Sequence, residues 1–101
     1  MRFFGGRLMR VQGASMRPTL EPGSLVWVAR GRRPALGEIV AARPAACGGH
    51  AIIKRVAEVP RDGEYVLLGD APDESTDSRT FGPVSSNELL GVVTRRMWPW
   101  L

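Results

Sequence analysis

The sequence predicts an all-β fold, a compact domain of mainly antiparallel strands with at most one or two short helical turns. Three observations indicate this class. The chain has 101 residues and contains 12 glycines and 8 prolines, which favour turns over long helices. Its apolar runs are short and are bounded by glycine, proline or aspartate. Few apolar residues recur at the helical period over the length of a helix.

Five strands are predicted from the apolar runs, at 24–29, 38–42, 51–59, 64–68 and 91–96. Asp62-Gly63 lies between the third and fourth runs and is a typical hairpin turn, so these two strands are expected to pair. Ser85-Ser86-Asn87-Glu88 has the spacing of a capping box and predicts one helical turn. Long connecting loops are expected at 30–37, 43–50 and 69–84.

Composition excludes several classes of protein. The length suits one domain spanning 1–101. A net charge of +4 is compatible with nucleic-acid binding, but the arginines are scattered and no recognition motif accompanies them, so no nucleic-acid partner is expected. Cys47 and His50 are the only residues of their types, too few for a zinc site or an internal disulfide. No metal and no cofactor are therefore expected.

The chain is also expected to lack a membrane-spanning segment. Its longest stretch without a charged residue runs from 44 to 53, well short of the roughly 20 apolar residues that a spanning helix needs. Arginines interrupt the first ten residues, which argues against a signal peptide. A cytoplasmic location is expected, and the oligomeric state is left open. The aromatic residues Phe3, Phe4, Trp98 and Trp100 are compatible either with a weak membrane-surface contact or with packing on the core.

Lys54 is the most informative single residue. It is the only lysine, whereas the other thirteen basic residues are arginines. Arginine keeps its proton in proteins, so only lysine can supply a neutral amine as a base. Strand alternation places Lys54 on one face with Ile52 and Val56, and burial on an apolar face lowers the pKa of an ammonium group. Drift in base composition would also leave a solitary lysine, but this apolar setting favours a chemical role.

Ser15 is the candidate nucleophile. It follows Gly13, which leaves room for a substrate backbone, and it precedes a turn stiffened by Pro18. Most serines in this setting cap a turn, but a serine paired with a neutral amine is a known catalytic arrangement. His50 is the competing base; it lies in a glycine-rich loop with no apolar residues to orient the imidazole, so an exposed loop residue is the better interpretation.

The loop at 69–84 supplies candidate supporting residues. Asp77 and Arg79 are close enough in sequence to form an ion pair that fixes the loop. A short hydroxyl side chain such as Ser75 could then hydrogen-bond to the lysine amine. Taken alone, such a segment is more often a solvated loop.

Five segments, in this order, form a recognisable pattern over about residues 11–94. They are Ser15-Met16 with Pro18-Thr19-Leu20; Gly23 with Leu25-Val26-Trp27-Val28; Pro34 with Gly37-Glu38-Ile39-Val40; Ile53-Lys54-Arg55-Val56; and Gly69-Asp70 followed by Ser75, Asp77-Ser78-Arg79, Phe81-Gly82 and Val84. In these residues the chain resembles bacterial type I signal peptidases and related Ser/Lys proteases.

The resemblance implies a serine endopeptidase with a signal-peptidase-like catalytic core. Ser15 would be the nucleophile, Lys54 the general base and Ser75 the residue that orients the lysine, while Asp77 and Arg79 would brace the loop. The Ser15 backbone N–H, with a second donor still to be identified, would bind the oxyanion. The substrate would lie extended beside a strand, in shallow pockets for small residues. The candidate lining residues are Val11, Met16, Leu20, Ile52 and Ile53.

The chain departs from the family pattern at three positions. Gly13 stands where many members have a serine, Ser24 replaces an aspartate, and Ala71 replaces an asparagine. No large insertion separates Lys54 from Gly69. This minimal form looks most like the proteases that mature nickel-type superoxide dismutase, which implies a precursor with an exposed N-terminal segment as partner.

Two other functions are compatible with the sequence. The three departures also suit a non-catalytic β-domain that binds extended peptides. A self-cleaving repressor would share the Ser/Lys pair, but only fourteen residues precede Ser15, which disfavours that alternative.

Overall fold

The computed structural model describes residues 5–99 and contains seven strands and one short helix. Residues 1–4, 100 and 101, with the aromatic side chains of Phe3, Phe4 and Trp100, lie outside the described part. The strands are β1 (Gly6–Arg10), β2 (Leu25–Ala29), β3 (Ile39–Ala42), β4 (Ile52–Arg61), β5 (Glu64–Leu68), β6 (Val84–Ser85) and β7 (Leu89–Trp98). The helix α1 is a single turn, Ser78–Phe81.

All seven strands belong to one curled sheet that forms a half-barrel, in the order β1-β2-β7-β3-β4-β5-β6. Every neighbouring pair is antiparallel. The prediction of an all-β, mainly antiparallel fold is therefore confirmed.

Two hydrophobic clusters hold the sheet in its curled shape. Alternate residues of the central strand β3 face different clusters: Ala41 packs in the first, and Val40 and Ala42 pack in the second. Both faces of β3 are thus covered. The first cluster also contains Val11, Met16, Leu20, Val26, Val28 and Ile53; the second also contains Val56, Tyr65, Leu67, Val84 and Val92.

The segment between β1 and β2 closes the first cluster. Val11, Met16 and Leu20 all come from this segment, and all three are buried. Burial of three apolar side chains within ten residues fixes a stretch that has no strand of its own. Because Ser15 lies inside this stretch, the packing of the core also fixes the position of its hydroxyl.

The five predicted strands are all present, with small changes at their ends. The third extends to Arg61, and the fifth runs from Leu89 to Trp98 rather than from 91 to 96. The predicted hairpin is confirmed, since Arg61 pairs with Glu64 across Asp62-Gly63. Gly63 has a φ of 79°, a left-handed conformation that glycine adopts without strain.

Two strands were not predicted. β1 pairs with β2 along its whole length, but Leu8 and both of its arginines are exposed, and only Met9 packs, half-buried, against the first cluster; one such residue makes no pattern. β6 is only two residues long and pairs with β5. Edge position and short length explain why neither was found.

The short helical segments are more numerous than expected. The predicted turn exists as a 3₁₀ turn at Ser86–Glu88, and its capping box is complete, with Ser85 and Glu88 each bonding the other's backbone. Two further 3₁₀ turns, Ala45–Cys47 and Pro72–Glu74, and α1 lie within segments that were expected to be loops. These single turns do not change the fold class.

Gly91 marks a close approach between β7 and β2. A methyl group added there would collide with the carbonyl oxygen of Ala29 and lie 2.8 Å from a Val28 side-chain carbon. We expect Gly91→Ala to lower the free energy of unfolding by about 1–3 kcal/mol, because overpacking forces the backbone to shift. Urea unfolding measures this change. The exposed neighbour Thr94 supplies the control: an equal loss in Thr94→Ala would show that the effect is not steric.

Candidate active site

Ser15 lies in a turn that is anchored at both ends. The Val11 N–H donates to the Ser24 carbonyl (2.8 Å), and the Gly23 N–H donates to the Val11 carbonyl (2.7 Å). Within the turn, the Leu20 N–H donates to the Met16 carbonyl (2.9 Å). Ser15 itself is only 8% exposed. The hydroxyl is therefore held near the surface by a rigid local backbone.

Lys54 contacts Ser15 directly. Its Nζ donates a hydrogen bond to Ser15 Oγ at 2.8 Å. Lys54 lies in β4 opposite Val40 of β3, so it shares a face with the second cluster, and its residue is only 6% exposed. The structure thus brings together two sequence-predicted residues that are 39 positions apart.

Burial lowers the pKa of the Lys54 amine below its usual value. Desolvation is the largest cause, because it penalises the charged form. The charges of Asp77 and Cys47 oppose this effect without outweighing it, and the charge of Arg79 adds to it, so the pKa of Lys54 is lowered. When the amine is neutral, the same 2.8 Å separation allows the Ser15 hydroxyl to donate its proton to Nζ.

Asp77 organises the loop beside this pair. Its side chain is 1% exposed and accepts from the Gly69 N–H (2.9 Å), the Ser75 hydroxyl (2.6 Å), and both the N–H and the Nε of Arg79 (3.2 and 2.9 Å). A further bond from the Arg79 guanidinium makes the ion pair bidentate. The Arg79 guanidinium and the other donors hold the pKa of the Asp77 carboxyl well below its usual range. The predicted Asp77–Arg79 pair is present.

The loop also binds the Ser15 backbone. The Ala71 N–H donates to the Ser15 carbonyl at 2.8 Å. Gly69 allows this approach, since a side chain there would lie 2.8 Å from the same carbonyl and would collide with Ser75. Gly69 and Ala71 thus connect the Asp77 network to the backbone of the Ser15 turn.

A second ion pair, which was not predicted from the sequence, joins the same elements. Arg55, the neighbour of Lys54, makes two bonds to Asp70: Nε to Oδ1 at 2.8 Å and an η nitrogen to Oδ2 at 2.7 Å. The Thr19 hydroxyl donates to the same carboxylate at 2.6 Å. This group links the Ser15 turn, β4 and the loop. The sequence shows that Arg55 follows Lys54 and that Asp70 follows Gly69. It does not show that Arg55 and Asp70 pair, because they are 15 positions apart.

Ser75 lies differently from what the resemblance implies. Its hydroxyl donates to Asp77, and no hydrogen bond joins it to Lys54 within residues 5–99. Its acceptor lone pairs remain available, but in this structure it supports the carboxylate. Gly13 has a φ of 73° and open space around its α-carbon, which is compatible with the predicted approach of a substrate backbone.

The five predicted substrate-binding residues divide between the two clusters. Val11, Met16, Leu20 and Ile53 pack in the first, and Ile52 is half-buried against the second. Met16 has no exposed surface, so it supports the site from beneath. Direct substrate contact stays a prediction for all five residues.

The side chains of the remaining candidates make no hydrogen bond to Ser15 or Lys54 within residues 5–99. His50 is exposed, and Cys47 is half-buried with a free thiol. Across residues 5–99, no three His, Cys, Asp or Glu side chains are grouped as a metal site would require. The helical segments of this part of the chain are all too short to span a bilayer. Trp98 is 43% exposed beside Leu8, so its ring is not packed into the core.

The Asp77 network yields a prediction about stability and pH. Because the folded pKa of Asp77 is depressed, its contribution is present above the unfolded pKa of about 3.9 and is lost as pH falls from there through the folded value. We expect Asp77→Asn to cost about 1–3 kcal/mol at pH 7, where bonds to a charged group are lost, and less at pH 3. Denaturant unfolding at both pH values measures this.

The matched control is Asp62→Asn, which removes an exposed carboxylate paired with Arg33 at 2.7 Å. Exposed pairs contribute little, so this variant is expected to change stability by less than about 1 kcal/mol. Equal losses in both variants, or a loss in Asp77→Asn that grows as pH falls, would contradict the account.

Comparison with known proteins identifies the family of this chain. Residues 6–94 match the family described as Peptidase S24-like. The mitochondrial ATP-independent inner membrane protease subunit 1b of Arabidopsis thaliana is 31% identical over 121 residues, covering 94% of this chain and 72% of that protein. Signal peptidase IB of Staphylococcus aureus is 42% identical over 38 residues, covering 38% of this chain and 20% of that protein. The chain therefore belongs to the Peptidase S24-like family of serine peptidases.

Proposed function

We propose that this protein is an endopeptidase in which Ser15 and Lys54 form a catalytic dyad. The observation that carries the proposal is the 2.8 Å contact between Lys54 Nζ and Ser15 Oγ, made by two residues that are each less than a tenth exposed. An unaided serine hydroxyl is a poor nucleophile at neutral pH, and a neutral amine at this distance can act as its base. Membership of a peptidase family supports the same reaction class.

The proposed reaction has two halves. Lys54 Nζ takes the hydroxyl proton as Ser15 Oγ attacks the scissile carbonyl carbon, and the resulting ammonium group gives that proton to the leaving amine. An ester to Ser15 remains. Water then gives a proton to Nζ and attacks the ester carbonyl, and the proton returns to Oγ as the acid product leaves.

The Ser15 backbone N–H is the proposed oxyanion donor. It makes no hydrogen bond to another residue of the described part of the chain, so it is available to a substrate oxygen. The bond from Ala71 to the Ser15 carbonyl helps fix the orientation of this turn. Because donors that are already in place need not reorganise during reaction, a fixed turn favours transition-state stabilisation.

The supporting residues act through the lysine and its surroundings. Asp77 lowers the cost of a transient ammonium at Lys54, since its negative charge favours the protonated amine. Arg79 and Ser75 hold this carboxylate in place. Ser75 is therefore proposed as a positioning residue that works through Asp77.

The proposed substrate is a precursor protein with an exposed, extended N-terminal segment and small residues before the cut. The propeptide of nickel-type superoxide dismutase is the first precursor to test. The tight β4–β5 hairpin supports this choice, because it leaves no inserted domain between Lys54 and Gly69, as in the minimal proteases that the sequence resembles. Contact with a membrane surface through the exposed Trp98 stays a prediction.

We expect Ser15→Ala and Lys54→Arg each to lower kcat/KM for such a precursor by at least about a hundredfold, because general-base catalysis alone contributes roughly 10²–10⁴. Arginine keeps the positive charge but cannot accept the proton. Mass spectrometry of precursor mixed with each variant measures the cut. Arg61→Lys, an exposed change on the same strand, is the control and is expected to retain wild-type activity.

Retained activity in Lys54→Arg would refute the amine as base. Precursor binding by both the wild type and Ser15→Ala, with no cleavage by either, would instead identify a non-catalytic peptide-binding domain.

The rate is also expected to depend on pH in a defined direction. The reactive form of Lys54 is the neutral amine, and its pKa is lowered, so kcat/KM should rise with pH and level off below the normal lysine value of about 10.4. Initial rates from pH 6 to 10 measure the profile. A rate that falls over this range, in enzyme that stays folded, would contradict the mechanism.

A further inference from the structure

A cavity whose lining includes neither Ser15 nor Lys54 is lined by three arginines. Arg7, Arg30 and Arg43 surround a space of about 320 Å³, together with Gly6 and Leu90. This volume lies at the lower end of the range for small-ligand pockets, about 300–1,000 Å³. The three arginines come from different parts of the chain, so the fold, and not a run of basic sequence, brings them together.

None of these three arginines has a partner within residues 5–99: no salt bridge or side-chain hydrogen bond involves their guanidinium groups. Most other arginines of that part of the chain do have partners. They are Arg10, Arg17, Arg32, Arg33, Arg55, Arg61 and Arg79. The arginines around this cavity therefore retain their full capacity to bind an anion.

Backbone contacts fix the positions from which the three side chains extend. Arg7 is in β1 and pairs with Val28 of β2. The Arg30 N–H donates to the Gly5 carbonyl (3.2 Å), and the Arg43 N–H donates to the Glu88 carbonyl (2.8 Å). Arg7 thus lies within a strand, and Arg30 and Arg43 directly follow the last residues of β2 and β3.

The electrostatics of the cavity favour a negatively charged ligand. No acidic residue of the described range 5–99 lines it, and three positive charges around one space repel one another. The Glu88 carbonyl accepts from the Arg43 N–H, but the Glu88 side chain forms no ion pair with Arg43 within residues 5–99. The Glu88 carboxylate instead accepts from the Ala45 N–H (2.7 Å) and the Ser85 N–H (3.0 Å). An anion in the cavity would relieve the repulsion that no described side chain relieves.

We propose that Arg7, Arg30 and Arg43 form a binding site for a phosphate group, carried either by a small soluble phosphate or by a phospholipid headgroup. The planar guanidinium fork matches the geometry of phosphate oxygens and binds them through paired, charge-assisted hydrogen bonds. Leu90 adds one apolar side chain to the lining. The site is separate from the proposed peptidase chemistry and does not depend on it.

The test is a calorimetric titration of the full chain with inorganic phosphate and with pyrophosphate, at constant ionic strength set by sodium chloride. We expect saturable binding to the wild type. Arg30→Gln/Arg43→Gln should weaken it by roughly tenfold or more, since charge-assisted hydrogen bonds are lost. The matched control is Arg95→Gln/Arg96→Gln, which removes the same charge from two arginines of β7 outside the cavity and should leave the affinity within about twofold.

Equal weakening in both double variants would overturn the proposal, because it would show attraction to net charge alone. Absence of saturable binding to the wild type would overturn it as well. Arginine Nε–H signals of the wild type, followed by NMR during the same titration, keep the test decisive if a variant fails to fold. Changes confined to Arg7, Arg30 and Arg43 support the site, and changes spread over all arginines contradict it.

Vesicles distinguish the two sources of phosphate. Cosedimentation with phosphatidic acid in phosphatidylcholine, but not with phosphatidylcholine alone, supports a headgroup ligand if it requires Arg30 and Arg43. Binding of soluble phosphate without cosedimentation supports a soluble ligand.

Discussion

The site depends on one constraint: the Lys54 amine must be shielded from solvent and close to the Ser15 hydroxyl. Lys54 in β4 is itself only 6% exposed, so solvent stabilises its charge poorly. The contact with Ser15 at 2.8 Å then places that amine where a proton can be exchanged. Every other feature of the site either fixes one of these two groups or balances the charge between them.

Two ion pairs hold the three segments of the site together. Asp77 with Arg79 fixes the loop internally, and Asp70 with Arg55 joins that loop to the strand of Lys54. Thr19 and Ala71 then attach the Ser15 turn to the same loop. Both carboxylates accept several charge-assisted hydrogen bonds, which is why the pKa of each is depressed. The result is a site assembled from distant segments but supported by fixed backbone.

The features that were predicted correctly are those that depend on local sequence pattern. Short apolar runs bounded by glycine, proline or aspartate predicted β2 to β5 and β7, the Asp62-Gly63 pair predicted the hairpin, and the single lysine directed attention to Lys54. β1 was not predicted because most of its side chains are exposed, so its sequence has no run of apolar residues. The choice of Asp77 as the partner of Ser75, and of Asp70 as the partner of Arg55, depends on distances between segments that pattern does not encode.

A single lysine makes the central claim directly measurable, because lysine labelled with ¹⁵N or ¹³C gives one side-chain signal. An NMR titration of that signal against pH reports the pKa of the amine beside Ser15. The account predicts a midpoint clearly below the normal value of about 10.4 in the folded protein. In the unfolded protein, the midpoint should move toward the normal value. A midpoint at or above the normal value in the folded protein would contradict it.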